Sequence, residues 1–140
     1  MQAESRIEQV GRWAARGAAG FCVAFAAFQV ALACGAPYGE MAWGGSTTVL
    51  PAGMRAASAG AAIYLLLAAG AMLARSGDWG RSLPQAPFRW FNGFLAIQLL
   101  LNTAGNLAAR DAGERSVMAA ASAFGALLCL AAVIPSRPAA

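Results

Sequence analysis

Four apolar stretches organise this chain, at about 17–34, 56–74, 88–109 and 116–134, with short polar connections between them. Each is close to the ~20 residues that carry an α-helix across a ~30 Å hydrocarbon core at 1.5 Å per residue. None shows the ten-residue alternation of a membrane β-strand, and lipid offers backbone groups no water to bond. The pattern therefore predicts an all-α fold, a four-helix transmembrane bundle in which residues 1–140 form a single domain. Ahead of the first stretch, Ile7, Val10 and Trp13 recur at helical spacing among charges over residues 4–16. That segment reads as a short helix lying at the membrane interface, or as a polar tail.

Composition sharpens the picture. Of the residues, 59% are hydrophobic and only 11% charged, against the roughly 25% charged typical of soluble domains. The net charge of +4 comes entirely from arginine, since the chain has neither lysine nor histidine. These arginines flank the apolar stretches, where they set topology, so nucleic acid is not the expected partner. Arg6, Arg12, Arg16, Arg75, Arg81, Arg89 and Arg137 fall on one side, and Arg55, Arg110 and Arg115 on the other. The positive-inside rule then puts both termini in the cytoplasm of a multi-pass inner-membrane protein, with the connections 35–55 and 110–115 facing out. A lipoprotein-like cleavage box, "VALACG" around Cys34, lacks the leucine expected three residues earlier and follows a leader carrying Glu4 and Glu8. The first span is therefore read as retained.

Cys22, Cys34 and Cys129 have no CxxC spacing and no histidine to join them, so neither a metal nor another cofactor is expected. Buried cysteine serves as a small apolar residue, and only Cys34, near a helix end, is placed as a reactive thiol.

Within the bundle, small residues recur at spacing four in the second and fourth stretches, including Ala56/Gly60, Ser58/Ala62 and Ala121/Gly125. Such pairs permit close helix approach where lipid supplies no hydrophobic push. The third stretch carries Gln98, Asn102 and Asn106 on one stripe, with Gly105 beside them. Amides in a bilayer seek partners, so the stripe is expected to face the interior as a polar network. Gln29 in the first stretch lies at a depth matching Asn102 and is expected to share a hydrogen-bond network with it in the outer half of the bundle. No acidic or basic residue falls deep in a span, which weighs against a proton-coupled carrier or an ion pump.

The two outward connections hold the remaining chemistry. The first supplies Pro37, Tyr38, Glu40, Trp43, Gly44, Gly45, Pro51 and Arg55, and the second supplies Arg110, Asp111, Glu114 and Arg115. Tyr38 and Trp43 suit the aromatic belt at the headgroups, and Pro51 suits a helix start just ahead of the second span. The paired glycines permit positive φ. Glu40, Asp111 and Glu114 match Arg55, Arg110 and Arg115 in number and sign, which predicts a lid held by ion pairs between the connections. Arginines beside the carboxylates would keep them ionised and unsuited to proton donation.

The segments "GAPYGE", "AWGG", "LPAGMR" and "NLAARDAGER" resemble the motifs of a family of small bacterial four-span membrane proteins with no assigned activity. Gly35, Pro37, Gly39, Gly44, Gly45, Pro51, Arg55, Asn106, Glu114 and Arg115 fit that pattern, over roughly residues 28–115. Ala109 and Asp111 stand where hydroxyl residues are usual, and Met118 and Ala120 replace a Trp and a Pro. The resemblance implies the four-span fold and a role for the outer connections, and it implies no reaction.

With no nucleophile–base pair, metal cluster or phosphate loop in the sequence, the leading expectation is a non-enzymatic bundle with a lid that packs or docks a partner. The partners expected are the lipid bilayer, a second copy in a homo-oligomer, or another membrane protein. The alternative is a small-solute or lipid-binding carrier subunit lined by the amide stripe, and a third reading places an enzyme at the outer interface through Glu40 or Glu114. A solvent-connected cavity reaching Gln98 would favour the carrier, and a filled interior the structural bundle.

Overall fold

An unbroken face of small residues governs the first helix. Ala14, Ala15, Ala18, Ala19, Cys22 and Ala26 are all buried, at the three- and four-residue steps of one helical stripe. The structure is a computed structural model describing residues 2–45, 47–80, 82–109 and 111–133, without the side chains of residues 2–5 and Glu114. Arg81, Arg110, Arg137 and the last residue of the fourth predicted span, Ile134, lie outside the described residues. Within them the fold is all-helical: α1 is Gln2–Ala33, α2 Ala52–Ser76, α3 Gln85–Leu107 and α4 Ala119–Ala132. A 3-10 turn, Gly39–Met41, sits in the first connection, and a π-helical turn, Glu114–Met118, leads into α4.

The separate interfacial helix or polar tail expected over residues 4–16 is corrected here, because these residues continue α1. The reason is packing: Ala14 and Ala15 are buried against Ala132 at the end of α4, so the buried stripe has no gap at which to end the helix. At about 48 Å, its 32 residues exceed the ~30 Å hydrocarbon thickness.

Helix ends follow local chemistry. After α1, Gly35 takes φ 92° while its N–H and that of Ala36 bond back to the carbonyls of Leu32 and Ala31, a paired glycine cap. Gly77 at φ 80° closes α2 in the same way. Pro51 precedes α2 as expected, and the helix opens at Ala52, four residues before the apolar run. Pro84 likewise precedes α3.

All four helices contribute to one core, which contains Ala18, Cys22, Ala69, Met72, Leu95, Ala96, Ala126 and Cys129. Small side chains fill the inside while large apolar ones point out: Ile63 is 63% exposed, Leu67 69%, Phe124 59% and Leu127 64%. That arrangement inverts a water-soluble core and suits helices whose outer surface meets lipid. Three segments are long and apolar enough to cross a membrane, Arg6–Ala33, Ala52–Ser76 and Arg115–Ala132. The 23 residues of α3 suffice in length, but Arg89, Asn92 and the amide stripe dilute its apolar character.

The helices are arranged as α2–α1–α4–α3. Helix α1 packs on α2 and α4, and α3 packs on α4, whereas α2 and α3 scarcely touch. One end of the bundle carries the two long connections and is called the loop end below. At the other end Arg16 on α1 donates from Nε and NH2 to the Asp78 carboxylate, at 3.0 and 2.6 Å, tying α1 to the turn after α2.

Candidate ligand cavity at the loop end

The loose α2/α3 edge leaves space inside the bundle: a partly open cavity of about 1000 Å³. One wall is aromatic. Phe21, Phe25 and Phe28 follow one another along α1 at steps of four and three, with ring centroids 4.5 and 6.4 Å apart. The facing wall is polar, because Gln98, Asn102 and Asn106 of α3 all border the cavity, with Gly105 between them. Gln29 joins from α1, Tyr64 from α2 and Ser122 from α4. Residues 41–45 of the first connection form the end wall at the loop end. No charged side chain belongs to the described lining.

All three amides of the stripe border the cavity, and two of them have separate partners. Gln98 Oε1 accepts a 2.7 Å hydrogen bond from the Tyr64 hydroxyl, which links α3 to α2. Asn106 Nδ2 donates to Ser122 Oγ on α4 at 3.2 Å. The expected network linking Gln29 to Asn102 is not formed among the described residues. Both residues border the cavity, but Gln29 Oε1 is buried with no hydrogen-bond partner and Asn102 is exposed. Equal depth placed them at one level, yet the cavity space lies between the helices that carry them.

The first connection folds on itself above this space. The Gly39 N–H donates to the Thr48 carbonyl at 2.9 Å, and Thr48 Oγ1 donates to Glu40 Oε1 at 2.6 Å. A Cβ on Gly39 would lie 2.4 Å from the Thr47 carbonyl oxygen, so only glycine fits there. Leu50 is buried beneath it. Trp43, Gly44 and Gly45 then run in sequence at φ 55°, 89° and 65°. Positive φ is rare for a bulky residue, and Trp43 is held there with its indole Nε1 donating to Ser58 Oγ at 3.0 Å. Ser58 is fully buried, and its pairing with this indole was not legible from the small-residue spacing.

Of the expected ion-pair lid, Glu40 and Arg55 have other partners. Arg55 donates from Nε to the Ala33 carbonyl at 2.8 Å, with its guanidinium over Gly35. It therefore satisfies the last turn of α1, where a cation also meets the negative end of the helix dipole. Glu40 is held by Thr48, and among the described residues neither Glu40 nor Arg55 pairs with the second connection. The described parts of the two connections meet by packing, with Met41 lying against Gly113. Pro37 is exposed in the first connection, and Arg115 is exposed on the π-helical turn that Asp111 precedes. The Glu114 side chain and Arg110 fall outside the described residues.

That π-helical turn inserts an extra residue and brings Met118 into the cavity wall. Nearby, the Ser116 hydroxyl bonds to the Ala112 carbonyl and that of Ser122 to the Met118 carbonyl. Sequence reasoning missed this turn, the phenylalanine stripe and Tyr64. The stripe's signal was present in the spacing of Phe21, Phe25 and Phe28. Asn92 was missed as well: it is fully buried on α3, outside the cavity, with neither amide atom hydrogen-bonded. Cys22 and Cys129 are buried in the core, and Cys34 is exposed at the end of α1.

Compared with protein-family models, curated proteins and solved structures, the chain matches none.

Proposed function

We propose that this chain is a four-span bacterial inner-membrane protein with both termini in the cytoplasm, and that the outer half of its bundle reversibly holds a small uncharged ligand. The observation that carries the reading is the cavity of about 1000 Å³ bordered by Gln29, Gln98, Asn102 and Asn106. Ligand sites are typically concave and mostly apolar, with a few convergent polar groups, and span roughly 300–1,000 Å³. A bundle serving only as structure would be expected to fill such space, because empty volume forfeits packing. Gln29 Oε1, buried without a partner, supplies an acceptor that a bound donor would satisfy. The arginine distribution supports the orientation, and it puts the loop end outside. Helix α3 serves as the fourth span because its length suffices and its amides border the cavity, where a bound polar group can pair with them. The proposed role is binding or carriage, without chemical change to the ligand.

Gly105 gives a direct test. It borders the cavity, and a Cβ added there meets nothing within 4 Å, so Gly105→Phe fills space without displacing backbone. Native mass spectrometry of wild-type protein released from its own membranes is expected to show a small-molecule adduct that Gly105→Phe lacks. Identical adduct-free spectra for both would contradict the reading.

A further inference from the structure

The cavity differs from side to side, and that asymmetry selects a class of ligand. Resting on the ligand-binding reading above, we infer that the occupant is a neutral amphiphile taken laterally from the bilayer between α2 and α3. Its apolar part lies along the phenylalanine wall, and its hydroxyl or carbonyl groups lie on the amide wall.

Three observations carry this. First, the polar groups of the described lining are all uncharged. Primary amides offer both donors and acceptors, which suits hydroxyls and carbonyls, whereas an ionised group would sit in a low-dielectric space without a counter-charge. Second, Phe21, Phe25 and Phe28 give the cavity an apolar surface about 10 Å long at the rise of an α-helix. A wholly polar solute would leave that wall unused, and a plain hydrocarbon would bury the amides unpaired. Third, the opening lies where a membrane-dissolved molecule would approach. Helices α2 and α3 scarcely touch, Leu101 of α3 borders the cavity while 68% exposed, and Asn102 beside it is exposed too. At the loop end, by contrast, the folded connection covers the cavity with residues 41–45 and anchors Trp43 to Ser58.

The test uses full-length protein in phosphatidylglycerol nanodiscs and tritiated monooleoylglycerol as probe, with binding measured above that of protein-free discs. Unlabelled oleate tests the same chain with a charge, and glycerol tests the polar group without a chain. Wild type is expected to bind the probe saturably, with one site per chain, and oleate is expected to compete at least tenfold less well than unlabelled monooleoylglycerol. Glycerol is expected not to compete. Asn102→Leu breaks no bond within the protein, so its folding is undisturbed, and it should weaken binding by about threefold to thirtyfold for one lost hydrogen bond. Gln98→Leu is the second variant and should weaken binding similarly, its melting curve confirming that it folds. Competition by oleate as strong as that of monooleoylglycerol would overturn the neutral class. Equal competition by glycerol would overturn the amphiphile in favour of a water-borne solute. Both of those results leave the cavity a ligand site. Absence of saturable binding, with wild type indistinguishable from Gly105→Phe, would overturn the class and the ligand-binding reading together.

Discussion

Tyr64 on α2 and Gln98 on α3 are joined by a 2.7 Å hydrogen bond across the edge where these helices scarcely touch. The Tyr64 ring also packs edge-on against Phe91 of α3, with centroids 6.4 Å apart, so bond and ring contact together tie this edge. Loss of the bond should therefore loosen the bundle locally without unfolding it. Tyr64→Phe is expected to lower unfolding free energy by about 0.6–2 kcal/mol, the range for side-chain hydrogen bonds between membrane helices. Tyr64→Phe combined with Gln98→Leu should lose less than the sum of the single changes. Unfolding of the four proteins in one detergent measures the cycle, and strict additivity would show that the bond contributes nothing.

Arg55 caps α1 from the first turn of α2. Arg55→Ala is expected to cost about 1 kcal/mol, through the lost bond to the Ala33 carbonyl and the lost cation at a helix C-terminus. Glu40 is bonded to Thr48, so Glu40→Gln should leave that cost unchanged. The check is a second double-mutant cycle, Arg55→Ala with Glu40→Gln, which the capping role predicts to be additive and an ion-pair lid predicts to be coupled.

Two glycines that look alike in the sequence should respond in opposite ways. A Cβ on Gly125 of α4 would lie 2.6 Å from the Phe21 ring, whereas a Cβ on Gly60 of α2 meets nothing within 4 Å. Gly125→Ala is expected to destabilise by about 1–3 kcal/mol through overpacking, and Gly60→Ala to stabilise by up to about 1 kcal/mol through helix propensity. Melting temperatures in a mild detergent would separate them.

The contrast shows what the sequence could convey. Both glycines stand in spacing-four small-residue pairs, and that spacing identifies a helix that can be approached closely without naming the neighbour that approaches. The same boundary recurs elsewhere. The apolar runs predicted four helices, and Pro51 marked the start of α2, because chain length and proline chemistry act locally. The amide stripe was legible as one helix face for the same reason, and that face borders the cavity. Partner choice was not. Gln29 and Asn102 match in depth, but whether two side chains at one level meet depends on helix separation, which was set by the loose α2/α3 edge. Arg55 found a backbone carbonyl because the glycine turn at Gly35 returns the chain close to it, and charge counting does not register a carbonyl. The continuity of α1 was obscured by the charges among residues 6–16, where Arg6 and Arg16 are exposed and Glu8 and Arg12 half-buried beside the alanine stripe.

Asn92 offers a test of polar burial. It is fully buried, with both amide atoms lacking hydrogen-bond partners, and an unsatisfied amide costs about 1–3 kcal/mol. Asn92→Leu keeps the approximate shape while removing that cost, so the variant is expected to melt higher than wild type. A lower melting temperature would mean that the amide is satisfied in the membrane by a group such as a buried water.

If the space between the phenylalanine stripe of α1 and the amide stripe of α3 is a ligand site, an experimental structure of the protein in lipid nanodiscs should show it occupied. Non-protein density is expected between Phe25 and Asn102, within hydrogen-bond distance of Gln29 or Asn102, and is expected to disappear in Gly105→Phe. A closed α2/α3 edge with Gln29 bonded to Asn102 and no room between them would contradict the ligand-site reading.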